Sequence, residues 1–145
     1  MKRSVLFAVA VATFALLAVA AIAKDKGHTH AENAKASPYD LRQVMQHLSS
    51  SQQQIQTGLL MNNRLMVAKG AHAIAHHPMP KGGIKPYIKK NHAALKSTIR
   101  AMDEQVHNSA VSLFKQSSTA SMLELQALND RMVKGCISCH NAFRD

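Results

Sequence analysis

The chain has no tryptophan, and aromatic side chains make up only 4% of its 145 residues. Two phenylalanines, Phe7 and Phe14, fall in an apolar N-terminal run, which leaves Tyr39, Tyr87, Phe114 and Phe143 for the rest. Planar side chains bury much area apiece, so a core built here leans on aliphatic groups and would gain from a large apolar cofactor. Nowhere do apolar and polar residues alternate as in a half-buried strand, and no segment repeats, which argues against sheet and solenoid architectures. Acidic residues are scarce as well, with 8 Asp and Glu against 18 Lys and Arg. Beyond the N-terminal run the cations stand singly, apart from Lys89-Lys90, and no basic cluster is interleaved with aromatics. Nucleic acid is therefore not the expected partner. Cysteine occurs only at positions 136 and 139, too few for a disulfide framework.

What is present begins with Lys2 and Arg3, followed by an apolar run from Val5 to Ala20 and the sequence Ala21-Ile22-Ala23. A charged start, an apolar middle and a small-x-small exit form the layout of a secretory signal peptide. An uncleaved anchor is the rival reading, because the run approaches the length of a bilayer span. The small-x-small exit and the polar "KDKGHTH" behind it favour cleavage after Ala23. Export to the periplasm and no stable membrane insertion thereafter are the expectations. The remaining 122 residues suffice for one domain with one core. They carry a formal charge of +8, from 16 basic and 8 acidic side chains with histidines neutral, which favours encounters with acidic partners.

Residues 24–37 are polar and aperiodic and read as a leader without structure of its own. From 38 onward the apolar residues recur at helical spacing, which predicts an all-α domain over 38–145. A first helix starts at Ser37-Pro38 or Asp40 and carries Leu41, Val44, Met45, Leu48, Ile55 and Leu59. Asn63 can cap a second helix with Leu65, Ala68, His72 and Ala75 or His76 on one face. "PMPKGGIKP" is the one heavily punctuated linker. A third helix then carries Leu95, Ile99, Met102, Val106, Ala110 and Leu113 or Phe114. After "QSSTAS" a fourth carries Met122, Leu125, Leu128, Met132, Cys136, Cys139 or His140, and Phe143. Four amphipathic helices with short connections imply antiparallel neighbours and a four-helix bundle.

The chain closes on "CISCHNAFRD". Cys-x-x-Cys-His is the attachment signature of a c-type haem. Two thiols add to the vinyl groups on one porphyrin edge while the adjacent imidazole reaches the iron. On a helix, Cys136, Cys139 and His140 leave from one side, so one ring is held at three points. A disulfide between the cysteines would close too short a loop to stabilise much. A thioredoxin-like pair lacks its strand-loop-helix setting, and a zinc site lacks a second Cys or His pair at finger-like distance.

Cys136-x-x-Cys139-His140-x-x-Phe143-Arg144, at the end of the last of four helices, resembles the class II cytochromes c, the family of cytochrome c′ and its low-spin relatives. The specific likeness covers residues 136–144, and the helix pattern extends it over most of the domain. The resemblance implies an up-down-up-down bundle with haem near the C-terminal end of helix four. It also implies covalent haem c on Cys136 and Cys139, His140 as proximal iron ligand, and Arg144 near the haem. A cation at a helix C-terminus is also favourable to the dipole, which is the plainer role for Arg144. Within that topology, Met45 and His140 both stand roughly 7 Å from the shared bundle end, at 1.5 Å per residue. Met45 is on the stripe with Leu41 and Leu48 and is expected to point inward, where low-spin members of the family supply a methionine sulfur. Its plainer role is core filler. His72, His76, His77 and His92 are at the same end and keep a histidine sixth ligand open, and His72 with His76 could bind adventitious metal. His47 faces elsewhere, and His28 and His30 lie in the leader.

The reading is a non-enzymatic monohaem electron carrier with His140 and Met45 as axial ligands, meeting acidic redox partners. A five-coordinate protein binding NO or CO, as in cytochrome c′, is the alternative. A haem-free, histidine-rich metal carrier is the remote one. Dimers occur in the family, so a homodimer stays open.

Overall fold

A computed structural model describes residues 37–87 and 92–143. The expected signal segment 1–23, nearly all of the expected leader and Arg144 lie outside the described residues, as does the side chain of His92. Four helices account for most of what is described: α1 (Leu41–Leu60), α2 (Arg64–Ala75), α3 (His92–Gln116) and α4 (Met122–Phe143), with a 3₁₀ turn at Lys85–Tyr87. They pack as the expected antiparallel four-helix bundle. None of these helices is long and apolar enough to cross a membrane.

The helix starts follow from local chemistry. Asp40 accepts from the Gln43 backbone N–H, and the Gln43 side chain accepts in return from the Asp40 backbone N–H. This reciprocal capping satisfies donors that the first turn leaves free. Asn63 caps α2 through the Met66 N–H. Ser121 and Glu124 form a second reciprocal cap at α4. The α1–α2 connection is tight because Asn62 adopts φ 51°, a left-handed conformation that asparagine tolerates. The "SSSQQQ" stretch, weak in helix propensity, is continuous helix. There Ser51 donates to the His47 carbonyl, and Gln52 is bonded to α4.

The core is aliphatic, as the shortage of aromatics requires. Ile55, Leu113, Leu125 and Met132 are fully buried, and each such side chain contributes about 1.5–3 kcal/mol of transfer free energy. The buried face of α2 is not the expected one. Val67, Gly70, Ala71 and Ile74 point inward together with Ala75, which was expected there, whereas Leu65 is 63% exposed and His72 and His76 lie at the surface. The reason is close approach: a Cβ on Gly70 would stand 2.6 Å from the Ser51 carbonyl oxygen. Helices α1 and α2 meet on their smallest residues, and that choice overrides the larger apolar side chain at 65.

Two ties set the ends of the bundle. At one end the Arg64 guanidinium donates to the Ser117 and Ala120 carbonyls, at 2.9 and 2.6 Å, pinning the start of α2 to the α3–α4 turn. At the other, the Lys81 N–H donates to the Tyr39 carbonyl at 2.7 Å and the Tyr87 hydroxyl accepts from the Leu41 N–H at 3.3 Å. The second end is where α4 finishes.

Candidate functional site

Helix α4 delivers Cys136, Cys139 and His140 from its last two turns. A Cβ on Gly135 would come within 2.8 Å of Val106 Cγ2, so α3 and α4 are closest one residue before the first cysteine. Cys136 and Cys139 are half-buried free thiols and His140 is exposed. Burial pushes the Cys136 thiol pKa up, and the neighbouring Cys139 adds to the shift. Cys139 is raised too, by burial and then by the negative charge of Asp103. Both sulfurs are thus protonated near neutrality, which is the opposite of the depressed thiolate of a redox-active Cys-x-x-Cys pair.

The register between α1 and α4 is given by a side-chain junction. Gln52 Nε2 donates to Asn129 Oδ1 at 2.9 Å, and Asn129 Nδ2 donates to Gln56 Oε1 at 3.4 Å. Asn129 is therefore level with the middle of the Gln52–Gln56 turn. Met45 precedes Gln52 by seven residues and Gln56 by eleven, while Cys136 and His140 follow Asn129 by seven and eleven. Seven and eleven residues are close to whole numbers of helical turns. Met45, Cys136 and His140 consequently occupy the strips along which α1 and α4 face each other. At 1.5 Å per residue, Cys136 is about 10 Å from the junction, Met45 about 13 Å and His140 about 16 Å. Met45 is level with the span between the first cysteine and the histidine.

Its burial differs from expectation. Val44 is the residue of that turn that enters the core, at 1% exposure, and Met45 is 40% exposed. On the helical wheel the buried stripe runs through Val44, Ile55 and Leu59 with Leu41 and Leu48 beside it. Met45 sits one step to the α4 side of that stripe. Helices α1 and α4 touch least among the neighbouring pairs, so a residue turned toward α4 there is not covered by it.

The histidines separate into two groups. His77, just beyond α2, is nearly buried, with Nε2 3.5 Å from Asp103 Oδ1 and Nδ1 3.3 Å from the Pro78 carbonyl. Burial alone would lower its pKa. The hydrogen bond and charge of Asp103, helped by the Pro78 carbonyl, outweigh that and leave it raised. Asp103 thus links His77 to the surroundings of Cys139, a long-range pairing with no sequence signal. His72 and His76 are exposed and line a groove between α1 and α2 together with His47, and His77 borders the same groove.

The His77–Asp103 pair has a pH signature. The folded chain holds the His77 proton more tightly than the unfolded chain, so the stabilisation is complete below the ordinary histidine pKa. It is lost as pH rises through the raised value. Asp103→Asn is expected to bring the His77 titration below the ordinary value, because burial, the largest influence, is then opposed only by the Pro78 carbonyl, the smallest, and to flatten stability against pH across that window. Ring-proton NMR titration and denaturant midpoints measure both, and an unmoved His77 titration would refute the pairing.

Among the described residues no three His, Cys, Asp or Glu side chains gather around a common point fit for an ion. No family model, curated protein or solved structure matches the chain.

Proposed function

We propose that this chain is an exported monohaem c-type electron carrier of the class II cytochrome c kind, with His140 and Met45 as axial ligands. The supporting observation is the shared strip: Cys136 and His140 on the side of α4 that faces the α1 strip carrying Met45, with the second free thiol, Cys139, one turn from Cys136 on the α3 side. The donor set suits haem c, since thioether attachment uses two thiols at this spacing and the adjacent imidazole is the proximal ligand. Bound haem would supply a reversible one-electron Fe(II)/Fe(III) couple. Cys136 and Cys139 would hold it, His140 would offer nitrogen and Met45 sulfur, and these two donors together would keep exogenous ligands off the iron. A thioether opposite imidazole raises the reduction potential. The basic surface would favour brief encounters with acidic redox proteins.

Met45 is preferred to His77 as sixth ligand on a specific ground. Both ring nitrogens of His77 have partners, Asp103 and Pro78, and one pairing would have to break before that ring could bind iron. The thioether of Met45 has no such competitor and is partly exposed.

The test is a visible spectrum of the protein matured in a periplasm that attaches haem, oxidised and reduced, with and without CO. Sharp low-spin bands, weak red absorbance in the ferric state and little CO binding are expected. A broad high-spin spectrum with ready CO binding would replace this reading with the NO- or CO-binding one. Absence of covalent haem would end both and leave the metal carrier.

A further inference from the structure

We infer that α2 carries a second metal site, independent of the C-terminal Cys-x-x-Cys-His: His72 and His76 chelate a divalent late first-row transition ion at the mouth of the α1–α2 groove. The two residues are one helical turn apart, and their rings stack with centroids 4.1 Å apart and planes inclined by 22°. Metal–nitrogen bonds of about 2.0–2.1 Å place two imidazole nitrogens on one ion about 3–4 Å apart. Sharing an ion requires the two rings to rotate about their side-chain bonds out of the stack until their in-plane lone pairs converge, and exposed residues four apart can reach one ion in that way.

The tautomer is arranged for it. His76 Nδ1 lies 2.9 Å from the His72 carbonyl oxygen. Donation from Nδ1–H to that acceptor puts the lone pair of His76 on Nε2, the way an outer-shell carbonyl fixes a metal-binding imidazole. His72 is braced edge-on by Phe114 on α3, with ring centroids 5.1 Å apart. One of the two rings is thus oriented by backbone and the other by an aromatic neighbour, and both residues are solvent-accessible.

The setting defines the ligand class. The groove has a volume of about 370 Å³ and is lined by four histidines, Tyr39 and small or apolar residues, with no carboxylate. Nitrogen donors without acidic oxygens select copper, nickel or zinc over magnesium or calcium, with copper(II) held most tightly. His47 lies across the groove, its ring edge-on to Tyr39 at 5.1 Å, and among the described residues no third donor joins the pair. Water completes the coordination shell, and the bound ion is exchangeable. The site faces α1 from α2, whereas the strip of Met45, Cys136 and His140 lies between α1 and α4.

Zinc(II) titration of the full mature chain, followed by calorimetry and histidine ring NMR at slightly alkaline pH, tests the inference. One equivalent is expected to shift the His72 and His76 resonances. His72→Ala and His76→Ala are each expected to weaken that binding by at least about tenfold, as loss of one of two ligands should. His47→Ala should leave it within about twofold, since that ring is outside the pair, and magnesium(II) should not compete. Because the variants are at an exposed position of α2 and at its C-cap, circular dichroism checks that the helix is intact. Zinc binding that survives both alanine substitutions, through the leader histidines or the C-terminal cysteines, would overturn the site. So would the absence of binding by the folded chain. The His72–His76 result is expected to be the same with and without haem, whereas zinc binding through the C-terminal cysteines requires free thiols and so belongs to the unloaded chain alone.

Discussion

Replacing Met45 with alanine in the haem-loaded protein is expected to turn a low-spin, CO-indifferent spectrum into a high-spin one that binds CO readily, with a lower reduction potential. Each part follows from losing the sulfur. An iron bound by His140 alone has a weaker ligand field and an open position, and removal of the thioether removes the preference for Fe(II) that raises the potential. The substitution should cost the scaffold little, because Met45 is 40% exposed while Val44 beside it holds the core. Helix content and thermal midpoint therefore act as internal controls. The parallel variant His77→Ala separates the two candidate ligands, and it should leave the spectrum low-spin. If Met45→Ala is spectrally silent and His77→Ala opens the iron, the sixth ligand is the histidine, and the Asp103 pairing is broken in the loaded protein.

That distinction illustrates where sequence reading reached its limit. The helix starts at Asp40, one of two alternatives with Ser37-Pro38, and at Asn63 were legible because capping is local, involving residues three apart, whereas Ser121 was not singled out as the cap of the helix expected after "QSSTAS". The inward stripes of α3 and α4 were legible because Ala110, Leu113, Leu125, Leu128 and Met132 recur at helical spacing. The face of α2 was not. That helix is apolar or small nearly all round, so periodicity offers several faces, and the outcome turns on the close approach at Gly70, which depends on another helix. Met45 failed in a narrower way. Its stripe was identified correctly to within one step of the wheel, but which edge of the stripe enters the core depends on how near α4 stands. Asp103 was invisible as a site residue, because nothing local announces that it will meet His77 and influence Cys139. The terminal cysteines and histidine needed no tertiary information, since one helical turn brings them to the same side.

Joint replacement of Cys136 and Cys139 by serine should yield an exported chain whose mass is that of the polypeptide alone, colourless and still helical. Loss of haem follows because no other cysteine exists to make a thioether. Retention of the fold follows from where the apolar burial lies. Ile55, Leu113 and Leu125 are fully buried, while the two cysteines are only half-buried at the far end of α4. Serine is near in size to cysteine, so the substitution leaves little cavity. His140→Ala makes a complementary test, because it spares both thiols. Any haem attached to that variant should lack the native low-spin spectrum, since its proximal nitrogen is gone. The pair of outcomes divides attachment from ligation: sulfur decides whether the group stays on the chain, and nitrogen decides the state of the iron. Native spectra from the His140 variant would contradict the ligand assignment even if attachment were normal. A coloured, mass-shifted product from the double serine variant would contradict the attachment assignment itself.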